Sequence, residues 1–313
     1  MAGTEQSGMG GRRVARVKTG FTLAFIVGGI AFVARNAAEF SNLAWPSPHA
    51  VAAVAAGFAV SVFCRALYNY IASRGLGANL FLGESFMLSA VVTASNLLLP
   101  ANPGAAFRAM YMKRVHGFPY GFFASSTLLY AIVTVLMTSL VGIFLLVLIQ
   151  TRLGYARPDL YVALPAIAAA SGVALLLRGR RSAVSEESVW TSFASSYLRL
   201  VRDYRLVIAS ISIVALNFSV GACVWVVALQ DYAPEIDVLE ASLFAASQIV
   251  SGLINLTPGA AGFQELVGVY VGRSFSLSVV ELFAILVWVR VVRSVAAISL
   301  GIPCAIALRR KTR

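Results

Sequence analysis

Asn102-Pro103-Gly104-Ala105-Ala106-Phe107-Arg108 returns later in the chain as Thr257-Pro258-Gly259-Ala260-Ala261-Gly262-Phe263-Gln264-Glu265. Each copy interrupts an apolar stretch at the corresponding place in its half of the sequence. Proline removes a backbone donor and glycine permits a tight turn, so each Pro-Gly step predicts a helix that stops, turns and restarts. Paired breaks inside apolar segments mark proteins built from two membrane repeats with a binding site between them.

The surrounding composition fits that reading. Of the 313 residues, 59% are hydrophobic and 12% charged, and the mean hydropathy is +0.82. Soluble domains carry about twice that share of charge. Apolar runs of about 20 residues, enough to cross the hydrocarbon core, recur along the chain. The expected class is an all-α polytopic membrane protein.

The net charge of +12 does not call for nucleic acid. The positives cluster at 12–18, 113–114, 178–181, 199–205 and 309–313, flanking apolar segments, as the positive-inside pattern requires. Such clusters also favour anionic lipid on the cytoplasmic leaflet. Cys64, Cys223 and Cys304 lie within apolar segments and show no paired spacing, so neither a disulfide nor a metal site is expected. No cofactor motif is visible. No nucleophile–base pair, nucleotide motif or metal-ligand cluster stands out either, and the chain does not read as an enzyme.

Along the chain, residues 1–16 form a Gly-rich basic terminus expected to be disordered. Full spans are expected at 17–34, 50–72, 120–149, 160–177, 206–229 and 277–308. Two shorter apolar segments, 84–99 and 240–256, end at the Pro-Gly breaks and resume as 105–115 and 262–271. A basic loop covers 178–205, within which Ser-Tyr-Leu-Arg-Leu-Val-Arg reads as a surface helix. Residues 17–149 then form one membrane repeat, 150–308 a second, and 309–313 a basic tail. If 84–99 crossed completely, Lys113, Arg114 and His116 would lie opposite the other positive clusters. If it dips in and returns, every basic cluster falls on the cytoplasmic side and the acidic segment 231–237 falls outside.

The result is about six full transmembrane helices plus two re-entrant Pro-Gly hairpins in an inverted repeat. Both termini are cytoplasmic, in a bacterial inner membrane. Glu84 aligns with Glu240 and Ser95 with Ser251, and Pro103-Gly104 aligns with Pro258-Gly259 after one gap. Eight or more ordinary spans kinked at proline are the alternative.

At each break the second half-helix starts with N–H groups that have no intrahelical partner, at the positive end of its dipole. Bare backbone at membrane depth must face protein or a wet cavity, and two such ends facing each other suit a phosphate or carboxylate. The candidate binding residues are therefore Asn102, Pro103, Gly104 and Arg108 at the first break. At the second they are Asn255, Thr257, Pro258, Gly259, Gly262, Gln264 and Glu265, with Arg290 and Arg293 inside the last span. Ionisable groups in a span are costly and tend to line an interior pathway. The alternatives are that Arg108 snorkels to the interface, that Glu265 and Arg290 form a structural ion pair, and that Arg293 sits near a membrane boundary. Thr127, Tyr130, Thr134 and Thr138 make a polar stripe on the span at 120–149, which small-residue packing also explains.

The second motif, followed by a long span with Arg290 and a basic tail, resembles the transmembrane region of lysylphosphatidylglycerol synthases and a flippase-like family of stand-alone relatives. Arg108, Pro258, Gly259, Gly262, Glu265 and Arg290 match that pattern, whereas Ala105 stands where the family carries an acid. The resemblance implies movement of lipid between leaflets, with a membrane lipid of anionic headgroup as partner. It does not imply the synthase reaction, which belongs to an attached soluble domain. The expected function is translocation of an anionic or phosphate-containing lipid. The alternatives are a secondary transporter of a small anion and a membrane scaffold for a lipid-modifying enzyme.

Overall fold

The computed structural model describes residues 27–99, 103–154, 158–176, 189–253, 260, 262–273, 275 and 277–311. Among these there is no strand. A helix α1 covers 27–35. It is followed by α2 Ala37–Ser41, α3 Pro48–Gly75, α4 Leu82–Leu98, α5 Pro103–His116, α6 Tyr120–Leu153 and α7 Pro158–Leu176. Then come α8 Val189–Arg202, α9 Tyr204–Gln230, α10 Val238–Gly252, α11 Phe263–Gly272 and α12 Val279–Lys311. Helices α3, α6, α9 and α12 are long and apolar enough to cross a membrane, and they make this a helical membrane protein. The five-residue α2 lies in a segment whose polarity read as a plain connector. The segment expected as a surface helix in the basic loop is helical, within α8, and buries Ser196, Tyr197 and Leu200.

Local chemistry sets the helix starts. Pro48 occupies the first turn of α3 and Ser47 Oγ accepts from the Ala50 N–H at 3.4 Å, a proline-plus-serine start. Asp237 accepts from the Leu239 N–H at 2.7 Å while Glu240 accepts from the Asp237 N–H at 3.2 Å, closing a capping box on α10. Helix α6 stops at Gly154, whose φ of 75° is the left-handed terminator that glycine adopts without a Cβ clash.

Helices α3 and α9 run antiparallel. At one end the Ser47 N–H donates to Asp231 Oδ2 at 2.9 Å and the Ser47 hydroxyl donates to Asp231 Oδ1. In the middle Gly57 faces Val224, and at the other end a Cβ on Gly75 would lie 2.6 Å from Leu206 Cδ1.

Two helical hairpins attach to this pair at opposite ends. In the first, α5 folds back along α4. The N–H of Gly104 donates to Asn96 Oδ1 at 2.9 Å near the turn. At the open end Tyr111 and His116 of α5 meet Glu84 of α4 at 2.5 and 3.0 Å. Leu76, Tyr111, Leu200 and Leu206 share one apolar cluster there, so this open end lies where α3 ends and α9 begins. In the second hairpin α11 folds back along α10, and its open end packs Ile236, Ala241, Val271 and Phe275 with Val54 and Leu229. That is the other end of the α3–α9 pair.

The remaining contacts exchange between the two halves. Helix α3 packs on α4 as α9 packs on α10, and α4 lies against α12 as α10 lies against α6. Helix α6 is flanked by α7, and α12 by α1 and α2, where Phe32 and Phe40 meet Phe283. Gly301 lets α12 approach Ala94 of α4, since a Cβ there would come within 2.6 Å of the Ala94 Cβ.

Gly104 is the tightest point of the first turn, because a Cβ on it would overlap the carbonyl oxygen of Val92 and press on Asn96 Oδ1. Gly104→Ala must push α5 off α4, an overpacking defect of about 1–3 kcal/mol. Lowered thermal stability in detergent, with unchanged helix content, is the expected result.

Candidate functional site

Between the two halves lies a cavity of about 260 Å³ whose wall draws on both. From the first half come Ser61 and Arg65 of α3, Thr93 and Asn96 of α4, and Tyr130 and Thr134 of α6. From the second come Asn217 and Trp225 of α9, Gln248 of α10, Gln264 of α11 and Arg293 of α12. A smaller space of about 30 Å³ adjoins it, walled by Trp225, Gln248, Gln264, Glu265, Arg290 and Arg293. Arg65, Arg293 and the neutral amides and hydroxyls are the polar part of the larger cavity, and among the described residues no carboxylate lines it.

The arginines stand in different environments. Arg290 pairs with Glu265 at 2.7 Å and donates to Gln264 Oε1 at 3.2 Å. Glu265 is 4% exposed, and its other carboxylate oxygen accepts from the Gly262 N–H at 2.6 Å. One carboxylate therefore both caps α11 and holds Arg290. Gly262 has a φ of 87°, a conformation open to glycine at little cost, and it aims its N–H at that carboxylate. Arg293, one turn on, has no ion pair or hydrogen bond among the described residues, and its guanidinium lies 5.3 Å over the Trp225 ring. Arg65 reaches the Thr93 hydroxyl at 3.5 Å and has no acid beside it among the described residues.

Gln248 and Gln264 lock the second hairpin. Each donates its side-chain amide to the other's backbone carbonyl, at 3.2 and 3.1 Å. The glycines beside them make room, since a Cβ on Gly252 would meet Gln264 Nε2 at 2.6 Å and one on Gly268 would meet Gln248 Nε2 at 2.8 Å.

Gln264, Glu265, Arg290 and Arg293 are thus brought together around the smaller space, and Gln264 and Arg293 also line the larger cavity. Pro103 and Gly104 form the start of α5, and Gly262 precedes α11. Arg108 does not line the cavity: its guanidinium lies 5.0 Å over the Phe123 ring. Asn102, Asn255, Thr257, Pro258 and Gly259 lie outside the described residues. At each half-helix start one N–H is already taken, that of Gly104 by Asn96 Oδ1 and that of Gly262 by Glu265. The charge facing the cavity comes from side chains.

The sequence reading passed over Arg65. Its signal was available, a single arginine in the middle of the apolar span at 50–72. Trp225, packed against Phe244, also forms the floor under Arg293. Of the polar stripe on α6, Tyr130 and Thr134 reach the cavity, while Thr127 turns back to the Phe123 carbonyl at 2.9 Å. Neither a scan against protein-family models nor a search of curated proteins finds a match to this chain.

Proposed function

We propose that this protein moves lipids with an anionic or phosphate-containing headgroup between the leaflets of its membrane. The observation that carries the reading is the cavity between the two halves, with Arg65 and Arg293 on its wall and no carboxylate among the described residues that line it. An unpaired guanidinium inside a membrane protein is costly and marks a pathway for a partner of opposite charge. A phosphate flanked by two arginines and a ring of amides supplies that partner, with charge-assisted hydrogen bonds at both ends. The resemblance to the transmembrane region of lysylphosphatidylglycerol synthases points the same way.

The membrane frame follows from lengths and charge. Helix α11 has ten residues and rises about 15 Å, half the hydrocarbon thickness of about 30 Å, so it enters without crossing. Helices α4 and α5 act as the equivalent re-entrant pair. Six full spans result when α7 and the span expected at 17–34, of which residues 17–26 lie outside the described residues, are added to α3, α6, α9 and α12. Arg74, Lys113, Arg114, Arg199, Arg202 and Arg309 then share the cytoplasmic side, opposite Asp231 and Glu235. Rocking one half against the other exposes the cavity to each leaflet in turn.

The test is translocation of fluorescent phosphatidylglycerol in proteoliposomes, read by quenching of the outer leaflet. Arg65→Ala and Arg293→Ala are each expected to slow it about ten- to hundredfold, because a hydrogen bond to a charged group contributes roughly 1.5–3 kcal/mol. Uptake of inorganic phosphate without lipid movement would overturn the lipid reading in favour of a small-anion carrier.

A further inference from the structure

We infer that the seam between α3 and α9 is the passage through which the hydrocarbon chain of an anionic lipid leaves the arginine cavity for the bilayer, an inference that rests on the lipid reading above. A second cavity of about 260 Å³ lies on this seam. Ala53 and Gly57 of α3 and Ser219, Val220, Cys223, Val224 and Val227 of α9 line it, and among the described residues none of this lining is charged. It shares Gly57 and Val224 with the arginine cavity. The two spaces therefore meet at one partition, polar and cationic on one side and apolar on the other.

That partition is thin. Gly57 contributes no side chain, so Val224 fills the place where a Cβ on Gly57 would stand: that Cβ would overlap Val224 Cγ2 and lie 3.6 Å from Val220 Cγ1. Valine is stiff about χ1, so joining the two spaces takes rotamer changes at Val224 and its neighbour Val220 or a small parting of two helices. The seam is pinned at its ends by Ser47 with Asp231 and by Gly75 with Leu206, which leaves its middle as the place to open. Cys223 and Ser219 are exposed at the outer edge of the groove. A ligand with a charged head and an apolar chain fits two adjoining spaces of such contrasting lining. A small hydrophilic anion has use for the first space only.

The native thiol at Cys223 provides the test. With Cys64 and Cys304 replaced by alanine and Ala53→Cys introduced, a bifunctional methanethiosulfonate reagent bridges residues 53 and 223 in protein already folded in liposomes. Two readouts are taken, translocation of fluorescent phosphatidylglycerol and photolabelling by phosphatidylglycerol with a diazirine in its acyl chain. Bridging is expected to cut translocation about tenfold or more, one decade of rate, and dithiothreitol to restore it. The diazirine is expected to label the segments 53–57 and 219–227 in preference to other helices, and to lose that labelling on bridging. Unchanged translocation in the bridged protein, or labelling concentrated on α6, α10 or α12, would overturn the seam. An Arg65→Ala, Arg293→Ala double variant separates the two failures. If it is inactive while bridging has no effect, the seam is wrong and the lipid reading stands. If neither manipulation slows translocation, the arginine cavity is not the headgroup's route and the seam falls with it; the lipid reading itself falls if the unmodified protein moves phosphatidylglycerol no faster than protein-free liposomes do.

Discussion

Arg290→Ala and Glu265→Ala are each expected to abolish lipid translocation in proteoliposomes. Glu265 is buried, pairs with Arg290 at 2.7 Å and caps α11 through the Gly262 N–H. Removing one partner of a buried pair destabilises by about 3–5 kcal/mol, so inactivity of a single variant mixes folding with function. Two further variants separate them. Glu265→Gln keeps an acceptor for the Gly262 N–H and tests the charge alone. The Arg290→Ala, Glu265→Ala double variant removes both charges and leaves neither buried and unmatched. It is expected to recover the thermal stability lost in the singles and to remain inactive, because Arg290 shares the wall of the small space with Arg293. A well-folded double variant that translocates at the normal rate would reduce the pair to a structural brace.

The second large effect concerns sidedness and is all-or-none. In a cysteine-free background, Lys113→Cys and Arg199→Cys are expected to react with a membrane-impermeant maleimide from one side of the membrane, and Glu235→Cys from the other. All three positions are exposed. His116 returns to Glu84 at 3.0 Å, so the end of α5 lies level with the start of α4, and Lys113 must share the side on which α3 ends. Arg199 belongs to α8, directly before α9, and Leu200 and Leu206 join the same cluster as Leu76 and Tyr111. Labelling of Lys113→Cys and Arg199→Cys from opposite sides would mean that α4 crosses alone, and the re-entrant hairpin would be lost.

Much of this architecture was legible in the sequence because membrane helices announce themselves. An apolar run needs no partner to be recognised, and Pro103-Gly104 marks the start of α5 by local chemistry alone. The capping pattern of Asp237 with Glu240 and the basic ends of the apolar segments were equally local. What was not legible depends on the relative rotation of helices. Arg65 and Arg108 look alike in sequence, each a single arginine near polar neighbours. The phase of α3 turns Arg65 toward the cavity, while that of α5 lays Arg108 over Phe123. The cap of α5 was hidden for the same reason. Asn96 lies eight residues before Gly104, and the two meet only because α4 and α5 fold back on each other. Glu265 was read as a ligand group, and local spacing could also have shown it as the N3 member of a cap on Gly262.

The crossed cover of the hairpins has a consequence for how the chain is made. Helix α10 emerges after α6, so its packing surface is ready when it arrives. Helix α4 is less fortunate, since its cover is α12, and about 180 residues separate Leu98 from Val279. At roughly 5–20 residues per second of synthesis, the face of α4 that carries Ala90 and Ala94 waits about ten to forty seconds in the bilayer before Gly301 reaches it. During that interval Arg65 and Asn96 stand in a half-built wall, dependent on water and lipid headgroups for company. The first hairpin is among the earliest parts of the protein to enter the membrane and the last to be enclosed.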